Sequence, residues 1–163
     1  MGQIDDTLRV LLVEDEFIIA LELESQLSDL GQRVVGIAAD SEQALEIVKT
    51  EAPDLAFVDV NLRDGRTGAR VALELAGARR VLVVFLTGSP HHIPTDCAGA
   101  LGVMTKPWNP NLIGYLVAFA KAYRRGDKNS IASDPPAGLT FAPWLRAEMR
   151  AASRTSRDRG PSP

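Results

Sequence analysis

The feature that most constrains this chain is a twofold rhythm in its first 123 residues. Short apolar runs rich in β-branched residues alternate with segments of helical period. The runs are "LRVLLV" (8–13), "RVVGIA" (33–38), "DLAFV" (54–58), "RVLVVFL" (80–86) and "GVMT" (102–105). Each has the length of a strand and little internal alternation, as strands buried on both faces require. The segments between them place apolar residues along one helical face. In "DEFIIALELESQLSDLG" these are Ile19, Leu23, Leu27 and Leu30, with Gly31 suited to the helix C-terminus. "DSEQALEIVKTEAP" offers Ser41 as N-cap and stops before Pro53. "TGARVALELAG" predicts a third helix, "IPTDCAGAL" a weak fourth, and "NPNLIGYLVAFAKAYRR" a strong fifth with Leu112, Leu116, Phe119 and Tyr123 on one side.

Five such repeats predict an α/β fold: an open, doubly wound sheet of five parallel strands, with a short C-terminal extension. Right-handed crossovers then place helices on both faces. Sites in such sheets lie beyond the carboxyl ends of the strands. That is where the chemically interesting residues fall. Strand one runs into Glu14-Asp15-Glu16, strand three into Asp59, strand four into Thr87, and strand five into Lys106-Pro107. Each is ordinary alone, as a cap, a solvated lysine or a strand threonine. Four strand ends bearing such groups together are not.

Composition removes several classes of function. Apolar residues make up 45% and charged residues 24%, the balance of a soluble globular protein. No run approaches the roughly 20 apolar residues of a membrane span. The start "MGQIDDTL" is polar and acidic, unlike a secretory signal. The single cysteine, Cys97, excludes an internal disulfide and fits a reducing cytoplasm, where the chain is expected. Residues 1–123 carry 17 acids against 10 bases, which argues against a broad basic nucleic-acid face. Residues 124–163 carry 4 acids against 8 bases.

Glu14, Asp15 and Asp59 would repel one another unless paired. A hard, oxygen-preferring cation, Mg²⁺ above all, resolves that repulsion. Lys106 adds a second positive charge and Thr87 a hydroxyl. Such surroundings suit a phosphoryl group, with Asp59 itself as nucleophile.

"VLLVEDE", "DLAFVDVNLRDG", "VVFLTG" and "VMTKP" stand in this order, and over residues 7–123 the chain resembles the receiver domains of two-component response regulators. The resemblance implies that Asp59 is the phosphoacceptor and that Glu14 and Asp15 hold Mg²⁺, with Asp59 and the backbone carbonyl of Asn61 as further ligands. It implies the flavodoxin-like strand order 2-1-3-4-5, a switch role for Thr87, a phosphate-pairing role for Lys106, and a cis bond before Pro107. The implied partners are a sensor histidine kinase or histidine phosphotransferase as donor, and a downstream protein. The chain would then be a switch, not an enzyme with turnover, its self-catalysed phosphorylation and dephosphorylation aside.

Two departures qualify the family pattern. Many receivers carry an aromatic residue three positions before the strand-five lysine; here it is Val103. "VFLTGSP" also resembles, in part, an alphaproteobacterial subgroup that lacks this aromatic and includes single-domain stress regulators. His91 and His92 predict an exposed loop before the fourth helix, and Trp108 a position near the start of the fifth.

The expected division is a receiver at 7–124 and an appendage at 125–163. In the appendage "GDKNSIASDPPAG" reads as linker, "FAPWLRAEMRAASR" as one short helix with Pro143 in its first turn, and "TSRDRGPSP" as disordered. No DNA-binding output domain is expected from so few residues, and a homodimer is left open. Two alternatives stand beside the receiver. A haloacid-dehalogenase-type phosphatase needs a second Asp two residues after the nucleophile, where this chain has Asn61. A phosphorylation-independent receiver scaffold would not need a filled site.

Overall fold

The computed structural model describes residues 6–127 and 134–157. Five parallel strands, β1 (Arg9–Val13), β2 (Arg33–Ala38), β3 (Leu55–Asp59), β4 (Leu82–Thr87) and β5 (Gly102–Thr105), form the body of one sheet. The full order is β2-β1-β3-β4-β5-β6. The doubly wound parallel order is therefore the expected one. The sixth strand, β6 (Leu139–Phe141), runs antiparallel to β5 and was not anticipated.

The central strands carry the core. All five residues of β3 are buried, as are Leu11, Leu12, Val13, Val83, Val84 and Phe85 on its neighbours. Both faces of the sheet are covered, so these strands contain no alternation to a wet face. Burying each large aliphatic side chain contributes on the order of 2 kcal/mol.

Helices α1 (Phe17–Asp29), α2 (Ser41–Thr50), α3 (Gly68–Gly77) and α4 (Asn111–Arg124) supply the covering layers. In α1 the buried residues are Ala20, Leu23 and Leu27, with Ile19 packed at the edge of the core. Leu30, expected on that face, is exposed because the helix has already ended. Gly31, at φ +72°, turns the chain while its N–H donates to Ser28 O and that of Gln32 to Leu27 O. This is a Schellman closure, for which a left-handed glycine is suited.

The cap of α2 also differs from expectation. Asp40, not Ser41, accepts from Gln43 N at 2.9 Å. Ser41 lies one residue inside and donates its hydroxyl to Asp64 at 2.5 Å.

No fourth helix forms between β4 and β5. Two 3₁₀ turns, Pro90–His92 and Cys97–Gly99, take its place. Pro94 removes a backbone donor within the segment, and Cys97 and Ala98 both adopt positive φ, at 56° and 47°. A continuous right-handed helix cannot include either residue in that conformation. The last helix of the expected five is therefore α4 here, and a further helix, α5 (Pro143–Arg157), follows β6.

Residues 138–145 are packed against the body. Thr105 N donates to Gly138 O at 3.0 Å and Ala142 N to Leu101 O at 2.8 Å, one bond at each end of the β5–β6 ladder. Phe141 stacks obliquely on Phe119 of α4 at 5.1 Å, Leu145 is fully buried, and the Trp144 indole N–H donates to Ala100 O at 2.9 Å. Of the expected linker and disordered tail, residues 128–133 and 158–163 lie outside the described residues; Thr155, Ser156 and Arg157, expected in the disordered tail, belong to α5 instead.

Candidate functional site

The carboxyl ends of β1, β3, β4 and β5 bring Glu14, Asp59, Thr87 and Lys106 to one edge of the sheet. Parallel pairing does the placing. Val13 pairs with Val58, Asp59 with Leu86 and Thr87 with Thr105, so each strand delivers its terminal polar group at nearly the same level. The apolar strands below hold Glu14, Asp59 and Thr87 almost out of solvent.

Lys106 sits at the centre. Its Nζ donates to Asp59 Oδ2 at 2.6 Å and to Glu14 Oε2 at 2.7 Å, with Glu16 Oε1 at 3.5 Å. The second oxygens are held by backbone donors: Glu16 N donates to Glu14 Oε1 at 3.0 Å and Asn61 N to Asp59 Oδ1 at 3.1 Å. Both carboxylates are thus aimed, and neither is left without a donor, which a buried charge requires.

Burial pushes the Glu14 carboxyl above its ordinary value, against the pull of the Lys106 hydrogen bond and the Glu16 amide. The Lys106 ammonium is also penalised by burial, but its hydrogen bonds to Asp59 and Glu14, and their charges, outweigh that and raise its pKa. It is therefore a firmly held cation at neutral pH.

Asp15 is exposed beside this pair. Glu14, Asp15 and Asp59 can each present one carboxylate oxygen, and these oxygens lie within 4.8 Å of one another. An all-oxygen, multiply anionic donor set fits a hard divalent cation. Among the described residues no other group of three such ligands forms.

Thr87 is fully buried, and its Oγ1 accepts from Ser89 N at 3.0 Å. Its carbonyl accepts from Lys106 N at 2.9 Å, and a cis peptide joins Lys106 to Pro107. Gly68 lies behind Asp59. A Cβ there would land on the Asp59 carbonyl oxygen, so only glycine lets α3 start this close to the site. Sequence reasoning missed Gly68; its one signal was a glycine directly before a helical apolar pattern.

His91 and His92 are not part of the site. They occupy the first 3₁₀ turn with rings 4.2 Å apart, edge to face. Trp108 donates its indole N–H to Gln26 Oε1 of α1 at 3.3 Å.

A family model described as the response regulator receiver domain matches residues 10–117. The chain belongs to this receiver family. The phyllosphere-induced regulator PhyR of Methylorubrum extorquens is 28% identical over 123 residues, covering 74% of this chain and 46% of PhyR. The transcriptional regulatory protein PdtaR of Mycobacterium tuberculosis is 34% identical over 104 residues, 62% of this chain and 50% of PdtaR. The solution structure of the Erythrobacter litoralis PhyR receiver domain superposes with a TM-score of 0.63 at 30% identity. It covers 70% of this chain and 89% of that domain. The chain spans about half the length of the curated relatives it matches.

The receiver is thus a two-component response-regulator domain of the PhyR-like kind. Val103 occupies β5 where many receivers place an aromatic; it is buried and pairs with Thr140 of β6. No helix among the described residues is long and apolar enough to cross a membrane.

Proposed function

We propose that Asp59 is the phosphoacceptor of this receiver and that its charge state is what the protein signals. The observation that carries the proposal is the single ammonium of Lys106 bound to both buried carboxylates, Glu14 and Asp59, with Thr87 at the neighbouring strand end. Glu14, Asp15, Asp59 and the backbone carbonyl of Asn61 are the groups that would hold Mg²⁺. When bound, Mg²⁺ supplies neutralisation of the phosphoryl oxygens as charge shifts during transfer.

An Asp59 carboxylate oxygen forms a bond to the phosphorus of a phosphohistidine on a sensor kinase or phosphotransferase. The P–N bond breaks, and its electron pair goes to the imidazole nitrogen. Lys106 holds the carboxylate in place and stays cationic throughout. The Thr87 hydroxyl donates to a phosphoryl oxygen once one is present. Water later attacks phosphorus, the P–O bond to Asp59 breaks, and the carboxylate is regained with release of inorganic phosphate. Both steps use only groups of the site and a donor or water, so phosphorylation from small donors and dephosphorylation are self-catalysed.

Asn61 stands where a phosphatase of the haloacid dehalogenase type needs a second acid, which argues against turnover on small phosphate esters. The filled site argues against a phosphorylation-independent scaffold. We take residues 7–124 as the signalling unit, acting in the cytoplasm on a downstream protein, with 125–163 as its appendage.

Acetyl phosphate with Mg²⁺ tests the assignment. One phosphoryl group per chain by intact mass, absent in Asp59→Ala, is expected. Equal labelling of both proteins overturns it.

A further inference from the structure

β6 is a short strand, yet Gly138, just before it, is bonded to Thr105, the chain neighbour of Lys106. Thr105 and Lys106 are consecutive, and their N–H groups point to opposite neighbours. Lys106 N donates to Thr87 O at 2.9 Å on the site side, and Thr105 N donates to Gly138 O at 3.0 Å on the β6 side. One dipeptide is therefore clamped between the site threonine and the start of the C-terminal segment.

The far end of that segment is held independently. Phe141 packs on Phe119, Ala142 N bonds Leu101 O, and Trp144 bonds Ala100 O. Backbone packing along β5 is close: a Cβ on Gly102 would collide with the Thr140 carbonyl oxygen. β6 cannot slide along β5 while these contacts hold.

We propose that residues 138–145 form a latch on the β5 edge, engaged while Asp59 is unmodified and released when Asp59 is phosphorylated. The proposal rests on the phosphoacceptor reading above. Phosphorylation moves negative charge outward from the Asp59 carboxylate, beyond the strand end. Lys106 and Thr87 follow that charge, since both bond it. Thr105 moves with Lys106, whereas Gly138 is tied through β6 to α4, so the Thr105–Gly138 bond is the first to break. The three ladder pairs and the contacts of Phe141, Ala142 and Trp144 then give way together, and the strand detaches. This uncovers the edge of β5 and the Phe119 face of α4. Such a route does not need an aromatic rotamer at position 103.

Hydrogen exchange of the full chain, followed by mass spectrometry, tests this before and after acetyl phosphate with Mg²⁺, phosphorylation being scored by intact mass. Amides of 139–142 and Thr105 are expected to exchange about tenfold faster or more in the phosphorylated protein, while β1 and β3 stay protected. Trp144 emission is expected to shift to the red. Phosphorylated protein with unchanged or slowed exchange in 139–142 overturns the latch and leaves the Asp59 assignment standing. No phosphorylation at all overturns both. Gly102→Ala is an independent arm. Its Cβ is expected to open 139–142 without any phosphoryl group and leave Asp59 able to accept one. A folded variant with wild-type protection there overturns the latch as well.

Discussion

Lys106 and Asp59 meet as a buried ion pair, Nζ to Oδ2 at 2.6 Å, and the same ammonium holds Glu14 at 2.7 Å. The two residues are 47 apart in sequence, and nothing local favours their approach. The parallel sheet brings them together by ending β3 and β5 on one edge. Together Lys106, Asp59 and Glu14 cost the desolvation of three charges, so their worth to folding is small, whereas loss of one member is expensive.

Lys106→Ala should accordingly destabilise the fold by about 3 kcal/mol in the absence of divalent cations, because two buried carboxylates lose their shared partner. Urea unfolding with and without Mg²⁺ measures this, and added Mg²⁺ should recover part of the loss. Phosphoryl uptake in the same variant should fall about 100-fold or more, as for removal of one preorganised donor.

Gly68→Ala should be costly for a different reason. The added Cβ meets the Asp59 carbonyl oxygen and the Val60 backbone, neither of which can rotate away. A loss of about 2 kcal/mol is expected from overpacking, together with slowed phosphorylation as β3 shifts. Gly77→Ala, where a Cβ meets nothing within 4 Å, is the matched control: it should leave phosphorylation unchanged and cost no stability, since alanine replaces a glycine in the helix.

The α2 entry predicts a pH dependence. Hydrogen bonds from Ser41 and then Thr67, at 2.5 and 2.6 Å, hold the Asp64 carboxyl below its ordinary value of 3.8. A depressed carboxyl adds stability above its unfolded pKa and loses it as pH falls through the folded one. Asp64→Ala should therefore lower Tm more at pH 7 than in acid. The gap to wild type should close as the pH drops below 3.8.

Cys97 should behave as an inert thiol. Burial first, and then the nearby Asp96 charge, push it above its ordinary value, and it is a buried residue of the second 3₁₀ turn. Alkylation at pH 8 should run about 100-fold slower in the native protein than in urea, since it must wait for local opening.

The strands of the parallel sheet and the residues at their ends were legible because long-range placement in a doubly wound sheet follows from topology. Once five buried strands are recognised, Glu14, Asp59, Thr87 and Lys106 fall on one edge without further information. The misreadings have local causes. Asp40 took the α2 cap from Ser41 because the hydroxyl found Asp64, 23 residues away and invisible to a local pattern. "IPTDCAGAL" has helical residues, but Pro94 and the positive φ of Cys97 and Ala98 break it into turns. β6 was hidden by its length. Leu139 and Phe141 buried about an exposed Thr140 is strand alternation, yet three residues after a linker carry too little of it to be read.

Phosphorylation at Asp59 is the most direct test of the central claim. After incubation with acetyl phosphate and Mg²⁺, peptide mass spectrometry following borohydride reduction should mark Asp59 as the modified residue. Wild type should carry one phosphoryl group, lost on removal of Mg²⁺ from the labelling reaction and absent in Asp59→Ala. A phosphoryl group mapped to any other residue, or persisting in Asp59→Ala, would contradict the account.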